Sequence, residues 1–352
     1  MAPLITQFRI DSPSEMAQWD DFVNSHEKGT PFHLSYWLRT IHDTYSFKPL
    51  LCVSRDEHNC LSGVLPFFQL KSLIMGNRLV SVPFSDFCPP LFRNKEDELQ
   101  VIQGVLDNYS RKIKYIEIRG SLSENSGFCG HSGYKHHFLK LSSNPLAVKN
   151  KFNKKTIIYS IRKAENGGVE IVEDNSEKGM QEFYKLNILT RKKHGIPPQP
   201  KNFFVNIFRH IITKGHGTLR IALWNSKPIA AGLFLQHKDT VYYKYNASDP
   251  VFMLRKSPNH LLTWAAIEKA CRAGYLFFDF GRTSVNNAGL NRYKEMWGAE
   301  SRDLTYFNYP PSKEVASKNE KGVLYQAATR CWRLMPSVIS SKIGPLIYKH
   351  LG

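Results

Sequence analysis

The chain runs twice through one order of elements, and that repetition limits its fold more than any single motif. In the first half, Ser14 to Asn24 is helical in pattern, and Thr30 and Pro31 suit the cap and first position of a second helix. Strand-like runs follow at Leu50 to Ser54 and Gly63 to Leu70 around a turn at Asp56 to Asn59, then at Leu79 to Phe84. A helix over Glu96 to Ile113 leads to a strand at Tyr115 to Ile118, and Tyr134 to Leu141 closes the half. The second half repeats the order. Helices over Glu177 to Arg191 and Lys201 to Lys214 precede strands at Leu219 to Trp224, Ile229 to Leu235 and Thr240 to Asn246. A helix over Ser257 to Ala273, a buried strand at Leu276 to Phe280 and a short helix over Asn287 to Trp297 complete it. Tyr115–Gly120 and Phe277–Arg282 occupy matching places. The simplest architecture is a duplicated α/β (α+β) fold, each half a mixed twisted sheet flanked by helices. The expected divisions are 1–148, then 149–310 opening on a basic linker helix, then a basic helical tail over 311–352.

Charge narrows the partners. Lysine and arginine number 48 against 30 aspartates and glutamates, a net +18 in 352 residues. Such an excess suits nucleic acid, phosphorylated small molecules or an anionic membrane face. The longest nearly apolar stretch, Pro228 to Leu235, falls far short of the roughly 20 residues a spanning helix needs. Met1 to Asp11 has no charged start followed by an apolar run, so no secretory signal is read there. The six cysteines form no CxxC pair, which argues against a zinc ribbon or a disulfide framework. The expected setting is cytoplasmic, with possible peripheral contact at the inner face of the membrane.

Three stretches carry chemistry. Residues 183–238 hold ten lysines and arginines and no acid, including Arg191-Lys192-Lys193-His194 at a helix end, a surface fit for an anion. Arg255 and Lys256 precede Ser257-Pro258-Asn259, where a loop running into a capped helix would present free backbone N–H groups to a phosphate. The third is Phe278-Asp279-Phe280-Gly281-Arg282 followed by Tyr293-Lys294. Tyr293 and Trp297, four apart, face a core, which puts Lys294 on an adjacent face near the exit of the preceding strand, able to stabilise an oxyanion. Cys129, His131, His136 and His137 lie close in sequence, but no second cluster supports a metal, and none is expected. The tail carries five basic residues and no acid from Lys321 on, interleaved with apolar ones, and Pro336 and Pro345 are expected to break it into short helices.

Together these motifs make the chain recognisable. Ser257-Pro258-Asn259-x-Leu261-Leu262-x-Trp264, Phe278-Asp279-Phe280-Gly281-Arg282 and Gly289-Leu290-x-x-Tyr293-Lys294-x-x-Trp297-Gly298 resemble the C-terminal part of FemAB-like proteins, a branch of the GNAT acyltransferase superfamily. Ile161 to Val169 and Thr190-Arg191-x-x-His194-Gly195-Ile196-Pro197 look similar too, the latter to members from exopolysaccharide gene clusters. The resemblance covers roughly residues 25–310 and implies two tandem GNAT-like domains. It also implies direct attack of an amine on an activated acyl carbonyl, with no cofactor beyond acyl-CoA or aminoacyl-tRNA as co-substrate. A lysine matching Lys294 is implicated in donor binding or catalysis in the peptidoglycan enzymes of the family. The usual acyl-CoA loop is replaced by Arg255 to Asn259, without its glycines, and the coiled-coil arm of some peptidoglycan members is absent.

The expected activity is therefore N-acyl or aminoacyl transfer to an amine of a cell-envelope polysaccharide or peptidoglycan precursor. Lys294, Arg282, Asp279 and Tyr245 are the candidate catalytic residues. Arg255, Lys256, Ser257, Asn259, Arg191, His194 and Tyr243 are candidates for holding the donor or substrate. A phosphorylated donor, an amine acceptor, tRNA and an anionic membrane are the partners implied. The competing reading is a non-catalytic protein binding nucleic acid or membrane through its basic surface.

Overall fold

In the computed structural model, residues 6–72, 75–311, 329–330 and 332–350 are described. Contacts divide the chain into two compact units that interleave in sequence. The first holds residues up to 134, returns at 304 and ends with the residues from 349; the second holds 135–303 and the segment ending at 348. The last part of the strand Cys129–Lys140 and residues 141–148 therefore pack with the second unit.

The first unit begins with β1 (Gln7–Phe8), α1 (Pro13–Ser25) and α2 (Ser35–Tyr45). A meander of β2 (Lys48–Arg55), β3 (Leu61–Ser72) and β4 (Gly76–Val80) follows, then β5 (Leu91–Phe92), α3 (Lys95–Tyr109) and β6 (Tyr115–Arg119). Because α3 crosses over between them, β4 and β6 are parallel, paired at Arg78–Tyr115, Leu79–Ile116 and Val80–Glu117. Beyond β6 lies the first-unit part of β13 (Glu300–Tyr309), antiparallel to it from Tyr306–Arg119 to Tyr309–Ile116. The apolar stripe of α3, Ile102, Val105 and Leu106, closes on Leu50, Leu65, Phe67, Leu79, Ile116 and Ile118.

The second unit repeats the plan. It starts with the end of β7 (Cys129–Lys140), α4 (Pro145–Lys149) and α5 (Tyr159–Asn166), the last preceded by a π-turn at Lys154–Ile158. Then come β8 (Val169–Glu173), α6 (Glu177–His194), α7 (Lys201–Ile207), and the strands β9 (Gly217–Trp224), β10 (Lys227–His237) and β11 (Thr240–Ser248). Two helices, α8 (Pro250–Lys256) and α9 (Pro258–Arg272), cross over to β12 (Phe277–Ser284), and α10 (Ala288–Glu295) follows. The strand order is β7-β12-β11-β10-β9-β8. Here β11 and β12 are parallel at Thr240–Phe277, Val241–Phe278 and Tyr242–Asp279. The core gathers Phe152, Trp264, Phe278, Phe280 and Trp297. A final helix, α11 (Ser337–Tyr348), packs on α6.

Four local expectations are corrected. Thr30 and Pro31 do not start α2: Thr30 bonds His33 Nδ1 at 2.7 Å, and the helix opens at Ser35, whose N–H donates to Asp20 at 2.7 Å. The run Leu79 to Phe84 leaves the sheet after Val80, because Val82 and Phe84 take positive φ. The basic linker is divided into α4, the π-turn and α5 rather than one helix. Pro345 lies inside α11 instead of ending it. The tail residues 312–328 expected to share its character lie outside the described residues.

Candidate active site

The three parallel pairs of β11 and β12 end at Tyr242–Asp279, yet both strands continue, so they part there and open a fork. A bulge follows in β11, where Leu233 opposes Tyr245 and Phe234 opposes Tyr243. Tyr243 consequently packs with Phe234 and Phe278, whereas Tyr245 packs with Phe203 and Phe204 of α7. Burial pushes the Tyr243 phenol up to about 12, which keeps it protonated, and Asn246 Nδ2 donates to its oxygen.

On the other arm, Gly281 takes φ +70, a conformation that favours glycine in mid-strand. Asp279 fixes it: its carboxylate accepts the Gly281 N–H at 2.5 Å and lies 2.8 Å from His136 Nε2. The kink turns two carbonyls toward α10, and Lys294 Nζ donates to Gly281 O at 2.9 Å and Arg282 O at 3.2 Å. Lys294 as a whole is only 6% exposed. Two motifs separate in sequence thus form one device, with Asp279 setting the kink, the kink aiming carbonyls, and the carbonyls holding a cation. Beside it, His137 is fully buried with neither ring nitrogen hydrogen-bonded. Burial, and then the charge of Lys294, lower its pKa to about 4, so the ring is neutral at pH 7.

The donor-side residues are placed differently. Arg255 and Lys256 do not lie on an extended loop but in the last turn of α8, which Asp249 caps. Ser257 takes φ +50 and makes no side-chain cap bond, so the expected cap is corrected to a left-handed link between two helices. Arg255 is exposed, while Lys256 donates to Gly167 O at 2.9 Å and lies 4.3 Å over Trp224. Asn259, in the first turn of α9, joins Asn246 at 3.3 Å and Ser248 at 3.4 Å, tying the helix start to β11. Arg191 lies over Tyr348, and burial lowers the pKa of His194, helped by Lys193, Arg191 and Arg333. The structure therefore joins Lys294, Arg282 and Asp279 at one arm of the fork and Tyr243 and Asn259 at the other. Arg191 and His194 meet the C-terminal segment. Sequence reasoning missed His136 and His137 as members of this site and weighed them only as metal ligands. Among the described residues no group of His, Cys, Asp and Glu could hold a metal. A cavity of about 310 Å³ between α6 and α7, lined by Tyr184, Phe204 and Phe208, includes none of the fork residues.

Residues 151–295 match the family model described as the acetyltransferase (GNAT) domain. They form a GNAT acyltransferase domain. No curated protein matches the chain. Among solved structures, FemX is 16% identical, with 87% of this chain and 98% of that one covered and a TM-score of 0.64. L-PGS from Bacillus licheniformis is 12% identical over 91% and 96%, TM-score 0.56. A tandem GNAT protein from the clavulanic acid biosynthesis pathway is 10% identical over 87% and 97%, TM-score 0.54. At such identities the likeness is one of fold, and it extends the GNAT-like architecture to both units as two tandem domains.

Proposed function

We propose that the GNAT domain transfers an acyl or aminoacyl group from acyl-CoA or aminoacyl-tRNA to an amine of a cell-envelope polysaccharide or peptidoglycan precursor. The observation that carries this reading is the buried Lys294 ammonium, seated on the Gly281 and Arg282 carbonyls at the open arm of the β11–β12 fork. A fixed cation in a water-poor site is worth most where negative charge appears during reaction. The neutral amine attacks the acyl carbonyl, the carbonyl oxygen takes up negative charge, and Lys294 and Arg282 stabilise it. Collapse breaks the C–O or C–S bond of the donor. The amine loses a proton as the C–N bond forms, and the leaving group gains one. Tyr243, kept protonated, is the candidate to donate and the Asp279–His136 pair the candidate to accept, whereas Tyr245, packed on α7, has no part in the step. Arg255 and the amino end of α9 at Asn259 face the donor phosphate.

The replacement of the glycine-rich loop by α8 favours a larger phosphate-bearing donor than ordinary coenzyme A. A thermal-shift comparison of acyl-CoAs with aminoacyl-tRNA, on wild type and Lys294→Ala, tests the proposal. Stabilisation by one donor class, weakened in the variant, is expected. Stabilisation by neither class would overturn the transferase reading in favour of a binding protein.

A further inference from the structure

Three elements of the second unit meet at the carboxyl end of α6. Lys193 Nζ lies 3.0 Å from Met253 Sδ of α8. On the C-terminal segment, Tyr348 of α11 lies under Arg191, and Gly344 of the same helix packs closely on Pro198. Thr329 and Arg333 close on Gly195, where α6 stops. This end of the unit exposes apolar side chains to an unusual degree. Leu254 is 86% exposed and Leu334 83%, with Leu346 at 63% and Val251 at 60%. On α11 the exposed Ile339, Ile343 and Leu346 fall at i, i+4 and i+7, one stripe facing away from the fold. Among them stand the exposed Lys193, Arg330, Arg333 and Lys342. Residues 183–238, α8 and everything from Lys321 on contain no aspartate or glutamate.

We infer that this surface docks on an anionic phospholipid bilayer, with Val251 and Leu254 of α8 and the stripe of α11 entering the interface and the cations resting on the headgroups. Two features together select this partner. The cations of these acid-free stretches complement an anionic surface, and protruding leucines are stabilised only where an apolar phase receives them. A nucleic acid would use the cations and leave the leucines in water. The inference is independent of acyl transfer, since it concerns a surface formed by helix exteriors and needs no turnover.

Sedimentation of the full chain with phosphatidylcholine vesicles, with and without phosphatidylglycerol, tests it. Binding to the anionic vesicles alone is expected. Leu254→Asp with Leu346→Asp should weaken it about tenfold or more, and Lys193→Gln or Lys342→Gln about fivefold each. Unchanged thermal unfolding would show the variants intact. As a second reading, Leu254→Trp gives a fluorescent probe whose emission should shift to the blue on anionic vesicles and not on duplex DNA. Absence of vesicle binding, binding unaffected by the aspartates, or an equal response to DNA would each overturn the inference.

Discussion

The two units bring their crossover strands to a similar end and use it in opposite ways. Each has a parallel pair that ends after three register positions, and each ends on an acid, Glu117 in the first unit and Asp279 in the second. Two residues further on, the first unit has Arg119. Its Nε bonds Glu117 at 2.7 Å, its guanidinium reaches Ser85 O at 3.3 Å and lies 5.6 Å from the Tyr306 ring centre. The strand's own cation thereby fills this end and draws in the loop after β4. The second unit has Gly281 at that position, which contributes no side chain, and its cation comes from a separate helix as Lys294. The buried histidines differ in the same sense. The His33 ring of the first unit bonds Thr30 at 2.7 Å and Pro89 O at 2.8 Å, whereas neither ring nitrogen of His137 in the second is hydrogen-bonded. In the first unit the cation comes from the strand itself and bonds its acid; in the second it comes from a helix and bonds strand carbonyls, while the acid pairs with a histidine.

The largest effects should come from removing each cation. Arg119→Met strands the buried Glu117 and should cost about 3–5 kcal/mol in stability, while any folded protein transfers normally. Lys294→Met leaves two carbonyls without their donor, about 1–3 kcal/mol, and should reduce transfer about 10²–10³-fold. Denaturant unfolding and an acyl-transfer assay on both variants would separate the roles. Equal losses of activity per folded molecule would erase the distinction between the two ends.

Next in size is Gly281→Ala. An alanine at φ +70 is disfavoured by about 1–2 kcal/mol. Relief of that strain turns the Gly281 and Arg282 carbonyls away from Lys294, so transfer should fall with stability. Full activity in a destabilised variant would show that the kink matters to folding alone.

A smaller effect concerns pH. Burial and Lys294 hold His137 near 4, and burial holds His260 near 4 as well. The unfolded chain takes up those protons below about 6.5, so the unfolded state binds more protons between the two values. Stability therefore falls as pH drops from about 6.5 toward 4 and levels off below. His137→Leu should flatten that slope by up to one proton. An unchanged slope would mean that His137 titrates alike in both states.

Much of this frame was legible in the sequence, and the illegible parts share a physical cause. The apolar runs around Ile116 and Phe278 mark the strands after each crossover helix, and the spacing of Tyr293 and Trp297 places Lys294 within reach of β12. β13 was missed because Glu300 to Asp303 are polar and exposed, and its partner β6 is remote in sequence. The His136–Asp279 contact likewise joins two strands that no local pattern relates. The entry to α9 failed through ambiguity: Asp249-Pro250 and Ser257-Pro258 are both start signals, each opens a helix, and Ser257 must serve as the end of one and the start of the next.

That shared residue leads to the smallest expected effect. Because α8 runs up to Ser257, its last two cations diverge: Arg255 faces solvent, and Lys256 folds back on Gly167 and Trp224. Lys256→Met should lose a cation–π contact worth about 0.5–1 kcal/mol and leave donor affinity unchanged. Arg255→Gln should do the reverse, weakening the donor with no change in unfolding. Paired titrations and melts would detect this crossover. If Lys256→Met weakened the donor instead, α8 would have to unwind into the expected loop when the donor binds, and the open fork of the second unit would be open only in part before that.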